Sequence, residues 1–183
     1  MKKDYRIDKI LFSQEFIEEK IRECADWVNE NYKNSQDLIL VGLLKGSVPF
    51  LAQLIKSVEV DHQIDFMTAS SYAGSHASSG SVKIIMDLSQ DIQDKDVLIV
   101  EDIIDSGITL NKIKELLLAR SPKSLKILTL MNKEFKRKTN LKADFYGFDV
   151  PDAFLVGFGL DYQEKFRNLP YIGVLNEQYI DKK

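Results

Sequence analysis

Apolar residues in this chain recur first at helical and then at strand spacing. Between Gln14 and Tyr32, the residues Ile17, Ile21, Cys24, Ala25 and Val28 fall on one helical face, and Ser13 stands where a helix N-cap belongs. Trp27 lies beside that stripe and reads as packing. The run Leu38–Leu44 is continuously apolar, as fits a strand covered on both faces. Val48–Lys56 reads as a helix with Pro49 in its first turn. Ile64, Phe66 and Thr68 alternate within His62–Thr68, the period of a strand.

From Ala69 to Gly80 the pattern breaks into small and polar residues, which predicts a loop. Val82–Leu88 and Val97–Ile103 predict two strands around an acidic turn at Gln90–Asp96. A helix over Thr109–Arg120 would bury Leu110, Ile113, Leu117 and Leu116, and Pro122 would help to end it. Leu125–Met131 predicts a further strand, followed by a basic connection over Lys133–Lys142. Phe145–Phe148, Phe154–Phe158 and Tyr171–Leu175 supply short strands. Strands alternating with helices in this way predict an α/β fold with a mostly parallel central sheet flanked by helices. Ligands of such folds bind beyond the carboxyl ends of the strands. The regions to inspect are therefore Leu44–Ser47, Ala69 onward, Glu101–Thr109 and Met131–Lys133.

Length and composition narrow this picture. A chain of 183 residues without internal repeats or linker-like segments predicts a single domain. Hydrophobic residues at 44% and charged residues at 29% are ordinary for a globular protein. A net charge of −3 gives no support to a general nucleic-acid or membrane binder. Cys24 is the one cysteine, so no intramolecular disulfide can form. Met1–Arg6 lacks the apolar stretch of a secretory signal, and no run approaches the ~18 apolar residues of a membrane span. A cytoplasmic location is expected.

Chemistry concentrates where the strand over Val97–Ile103 ends. An apolar strand runs into Glu101, Asp102 and Asp105, then into Ser106-Gly107-Ile108-Thr109 at the start of a helix. Main-chain N–H groups at a helix N-terminus, a glycine allowing close approach and two hydroxyls would cradle a phosphate. Carboxylates beside it would repel that phosphate unless they face something else, such as sugar hydroxyls or a metal ion. On the residues alone, a solvated strand-to-helix turn with a serine cap fits too.

Glu101-Asp102-Ile103-Ile104-Asp105-Ser106-Gly107-Ile108-Thr109 resembles the phosphoribosyl pyrophosphate (PRPP) signature of type I phosphoribosyltransferases, in particular the hypoxanthine-guanine branch. Ser106 stands where threonine is commoner there and keeps the hydroxyl. Leu44-Lys45-Gly46-Ser47 resembles that family's pyrophosphate loop, and Ser71-Tyr72 its mobile lid. Lys133 matches the lysine that reads a purine 6-oxo group, and Phe154-Leu155 the pair that brackets the base. Asp161 matches a metal-binding aspartate at the purine, and Arg167 a pyrophosphate-binding arginine.

The resemblance runs from about Leu38 to Asn176. It implies the type I fold: a core over about 38–135, and a small hood from the N-terminal segment and about 145–183. It also implies a homodimer or homotetramer that needs Mg²⁺ and transfers phosphoribose from PRPP to hypoxanthine or guanine. In that reading Glu101, Asp102 and Ser106–Thr109 hold the ribose phosphate, and Asp105 serves as general acid/base. Lys45, Gly46 and Arg167 hold pyrophosphate; Asp161, with Glu101 and Asp102, faces the metal. A lysine ammonium only donates, so Lys133 would favour 6-oxopurines over adenine. Lys136 and Lys138 read as a solvated face, while the role of Arg137 stays open. Two alternatives stand beside this reading: a xanthine-preferring enzyme, and an RNA-binding regulator on the same fold, which would need a basic, aromatic-bearing surface.

Overall fold

The computed structural model describes residues 3–71 and 82–181. The stretch from Tyr72 to Ser81, which holds half of the lid motif, lies outside the described residues, as does the side chain of Ser71. A six-stranded sheet forms the centre, in the order β4(Val82–Met86), β3(His62–Ser71), β2(Leu38–Leu43), β5(Asp96–Ile104), β6(Ser124–Asn132), β7(Phe145–Asp149). Every neighbouring pair is parallel except β3 with β4. This is the α/β architecture that the alternating elements predict.

Layering follows from side-chain alternation. Leu98 and Val100 of β5 point to one face, where they meet α1(Gln14–Tyr32) and α2(Val48–Leu54). Val97 and Ile99 point to the other, against α3(Ile108–Leu118). Ser13 caps α1, its side chain accepting from the Phe16 N–H at 3.3 Å. Cys24 is buried in the first core, and burial pushes its thiol up to about 12, so it is an inert packing group. Trp27 stacks on Phe145 at 5.4 Å, as a packing residue should.

A second, three-stranded sheet, β1(Ile7–Phe12)–β9(Ile172–Leu175)–β8(Leu155–Val156), covers one end of the molecule. It has its own small core of Ile7, Val156, Phe166, Tyr171 and Leu175. The hydrophobic pattern does not predict β1, because its pairing with β9 carries two register shifts that break alternation. Phe145–Asp149, grouped with the hood in the sequence reading, is instead an edge strand of the main sheet. Other differences are at boundaries: β3 runs on to Ser71, α2 stops at Leu54 and α3 starts at Ile108. No described helix is long and apolar enough to cross a membrane.

At the opposite end of the sheet from the strand carboxyl termini, Asp96 ties three segments together. It accepts from Ser35 Oγ and Ser124 Oγ, both at 2.6 Å, and from Lys123 Nζ at 3.0 Å. Burial would raise its pKa, but Ser124, Ser35 and the Lys123 charge outweigh burial and hold it below the ordinary 3.8. Asp96→Ala is expected to cost about 2–3 kcal/mol in denaturant unfolding near neutral pH. A depressed pKa contributes stability above 3.8 that is lost as the pH falls through the lower folded value, so the gap between variant and wild type should close in acid.

Candidate active site

β5 carries the central carboxylates to the edge of the sheet and then hands the chain to a tight turn. Gly107 sits at φ 76°, the left-handed region that a side chain would strain, and α3 begins at the next residue. The first amides of α3 have no carbonyl within the helix to pair with, so they face outward with the positive end of the helix behind them. Ser106 Oγ accepts from the Ile108 N–H at 3.4 Å and folds over that opening.

Gly46 shows how closely two loops meet. A Cβ on Gly46 would lie 1.9 Å from Asp102 Oδ2 and 2.7 Å from its Cγ, so only glycine lets the carboxylate fit. The Leu44-Lys45-Gly46-Ser47 loop and the end of β5 are thereby locked together. The Leu44–Lys45 peptide is cis.

The two carboxyls near the end of β5, Glu101 and Asp102, pay for their placement. Burial, then the neighbouring Asp102, pushes Glu101 well above the usual carboxylate range. Its Oε2 is buried without a hydrogen-bond partner among the described residues. Burial likewise pushes Asp102 up to about 6, partly offset by the Ile103 N–H at 2.7 Å and by the charge of Arg167. Buried carboxylates with raised pKa values, one of them with an unpartnered oxygen, are candidates for a ligand site.

Arg167 gathers the remaining charges. It pairs with Asp161 at 2.8 Å and Glu164 at 3.4 Å, and donates to the Gly159 carbonyl at 2.7 Å. Its Nε is buried without a partner among the described residues. Glu164 reaches across to Lys45 Nζ at 3.0 Å, so one carboxylate bridges the two cations expected at a pyrophosphate. Among the described residues no group of three or more His, Cys, Asp or Glu side chains converges as a metal cage.

A cavity of about 340 Å³ opens beside the turn, walled by Ile103, Asp105, Lys133, Phe154, Leu155 and Leu160. An exposed carboxylate, a buried ammonium and an aromatic ring from three separate segments thus line one space. Lys133 is 6% exposed; its Nζ donates to the Ala153 carbonyl at 2.9 Å and pairs with Asp152 at 3.4 Å. An ammonium has three donors, which leaves one for a ligand. Phe154 is 43% exposed at the cavity wall, with Tyr162 edge-on at 5.5 Å.

The structure therefore brings Asp105, Lys133, Phe154 and Leu155 into one cavity and sets Lys45, Gly46, Asp102, Asp161 and Arg167 together beside it. Asp161 faces Arg167, and its neighbour Leu160 lines the cavity that holds Lys133 and Phe154. Asp152 and Glu164 escape sequence reasoning. Both are acidic residues in loops, indistinguishable from solvated charge until folding sets a lysine beside each.

This fold and this arrangement of loops define a phosphoribosyltransferase. Residues 9–163 match the family model described as the phosphoribosyl transferase domain. The chain is 52% identical over 169 residues to the hypoxanthine-guanine phosphoribosyltransferase of Bacillus subtilis, covering 92% of this chain and 93% of that protein. It is 49% identical over 166 residues to the hypoxanthine phosphoribosyltransferase of Escherichia coli K12, covering 90% and 93% respectively. A crystal structure of a Staphylococcus aureus hypoxanthine phosphoribosyltransferase superposes with a TM-score of 0.91 at 44% identity, covering 96% of each chain. The chain belongs to the phosphoribosyltransferase family, in its hypoxanthine-guanine branch.

The raised pKa of Asp102 has a consequence for stability. Its folded value of about 6 lies above the ordinary 3.8, so the ligand-free protein is penalised as the pH rises from 3.8 to about 6 and uniformly above that. Asp102→Asn is expected to raise thermal stability above pH ~6, by up to about 3 kcal/mol, with the gain shrinking towards pH ~4. Melting temperatures of both proteins across that range check it.

Proposed function

We propose that the protein transfers the 5-phosphoribosyl group of PRPP to N9 of hypoxanthine or guanine, releasing pyrophosphate and forming IMP or GMP. The observation that carries this reading is the shared cavity of Asp105, Lys133 and Phe154 at the end of the phosphate turn. The 5′-phosphate is taken by the amides and hydroxyls of Ser106–Thr109, and the ribose hydroxyls by the dry acceptors Glu101 and Asp102. The base lies on Phe154, with the free donor of Lys133 on its 6-oxo group and the Leu155 carbonyl at its far edge. An adenine 6-amino group would meet a donor with a donor, a mismatch that a buried site rejects strongly.

Bond breaking at C1′ builds negative charge on the departing pyrophosphate. Lys45, the Gly46 loop and Arg167 stand where that charge would develop, and cations already in place lower the barrier. Asp105 holds the proton of purine N7 while N9 attacks. The oxygen donors Asp161 and Asp102 are hard ligands and fall short of a full cage, which fits Mg²⁺ completed by substrate and water. When bound, that ion would neutralise the pyrophosphate oxygens. Ser71 and Tyr72 are assigned to a lid that excludes water. A cytoplasmic enzyme assembled as a homodimer or homotetramer completes the reading.

A purine panel with PRPP and Mg²⁺, assayed for nucleotide and pyrophosphate, tests it. Hypoxanthine and guanine should be consumed, adenine refused, and a chelator should stop the reaction. Turnover of adenine in preference to both oxopurines would sink the base assignment. Asp105→Asn should lower kcat by about 10²–10⁴ while leaving PRPP binding intact; near-normal turnover would remove Asp105 from proton transfer.

A further inference from the structure

Against the proposed phosphate turn passes the basic connection that leaves β6. Arg137 is half-buried there and uses four of its N–H donors on this one neighbourhood. Its Nε donates to the Asp105 carbonyl at 3.1 Å. One terminal nitrogen donates to the Ile104 carbonyl at 3.3 Å and to Asn132 Oδ1 at 2.7 Å, and the other to the Leu141 carbonyl. The β5–β6 ladder ends at the Ile104–Asn132 pair, so the Asp105 carbonyl lies past the reach of the sheet. Arg137 takes over where the sheet stops.

The same connection packs directly on the turn. A Cβ on Gly107 would come within 2.6 Å of Thr139 Oγ1 and 3.1 Å of Arg137 Cδ. The Lys138 N–H donates to the Ser106 carbonyl at 2.9 Å. The carbonyls of Ile104, Asp105 and Ser106 are therefore each held by this segment, two of them by a single guanidinium. A cradle for an anion needs its amides turned toward the ligand and its carbonyls turned away and satisfied, because a carbonyl oxygen facing phosphate repels it. Lysine could not replace this device, since one ammonium cannot span carbonyls that a planar fork reaches from three nitrogens.

We infer that Arg137 is the positioning residue of the phosphate turn. It holds the main chain of Ile104 and Asp105, so that the amides after Gly107 face the 5′-phosphate and the Asp105 carboxylate faces the base cavity. The inference rests on the reading of that turn as the ribose-phosphate site. It also assigns a job to the one basic residue of the connection that is neither in the base cavity nor on the solvated face. No atom of Arg137 is needed at the substrate, so its effect should be confined to the ligand groups the turn holds.

Calorimetry on the full chain separates the possibilities, using IMP as the probe for the turn and Mg²⁺–pyrophosphate for the Lys45–Arg167 side. Arg137→Ala should weaken IMP by about tenfold or more, raise KM for PRPP, and leave pyrophosphate affinity within about twofold of wild type. Millimolar guanidinium should recover part of the IMP affinity of Arg137→Ala, and ammonium should not. Arg137→Lys, which keeps the charge and much of the packing, should show the same selective loss in smaller measure. It carries the comparison if the alanine variant does not fold.

Equal weakening of IMP and pyrophosphate would mean general collapse of the site and would overturn the inference. So would unchanged IMP binding in a folded variant, and that outcome would leave the phosphoribosyl-transfer reading standing. Wild-type protein that binds pyrophosphate but no IMP would bring down the reading of the turn and the role of Arg137 with it.

Discussion

Asp102 lies so close to Gly46 that no side chain fits between them, and much of the site is arranged around that contact. One partner ends a central strand; the other opens the loop before α2. Because both elements are anchored in the same core, the contact sets the distance between the expected pyrophosphate loop and the expected phosphate turn. A transferase must grip both ends of one substrate, and such a grip is only as accurate as the spacing of its two halves. A glycine at the contact removes the one group that would push them apart.

The electrostatics follow from the same geometry. Placing Glu101 and Asp102 at the end of a buried strand deprives them of water, and burial raises both pKa values. Among the described residues nothing fully compensates, as the unpartnered Glu101 Oε2 attests. Nearby cations are kept from wandering by borrowed partners: Arg167 by Asp161 and Glu164, Lys45 by Glu164, Lys133 by Asp152 and the Ala153 carbonyl. These pairs hold the cations in place beside the cavity and the loops that flank it. Burial at the two carboxylates costs stability, and in the proposed reaction it would serve to preorganise the site.

Support for the turn comes from outside the strand that bears it. The Lys133–Leu141 connection supplies the cavity's ammonium at one end and, four residues later, the guanidinium that holds the carbonyls of Ile104 and Asp105. The residues proposed to read the base and those that hold the proposed phosphate turn thus share a short segment of chain. A displacement of that segment would be felt by both.

How much of this was legible beforehand depends on the range of the interaction concerned. The strands of the main sheet, the capped first helix and the Glu101–Thr109 signature could all be read from local order. Apolar period, turn chemistry and motif spacing are properties of neighbouring residues. The same local reading missed β1, whose bulged pairing with a strand more than a hundred residues away hides its alternation; it found the strand at Phe145 but could not place it, and the resemblance grouped it with the hood rather than the main sheet. It could not find Asp152 or Glu164, nor decide Arg137 among Lys136 and Lys138, because charge on a loop acquires meaning only from what folding sets against it. By itself the sequence determined which chemical groups the protein owns and the order in which its elements form. Tertiary structure alone decided which charges face one another, which carboxylates lose their water and which main-chain groups are turned toward a ligand, since those energies depend on distances of a few ångströms between residues far apart in the chain.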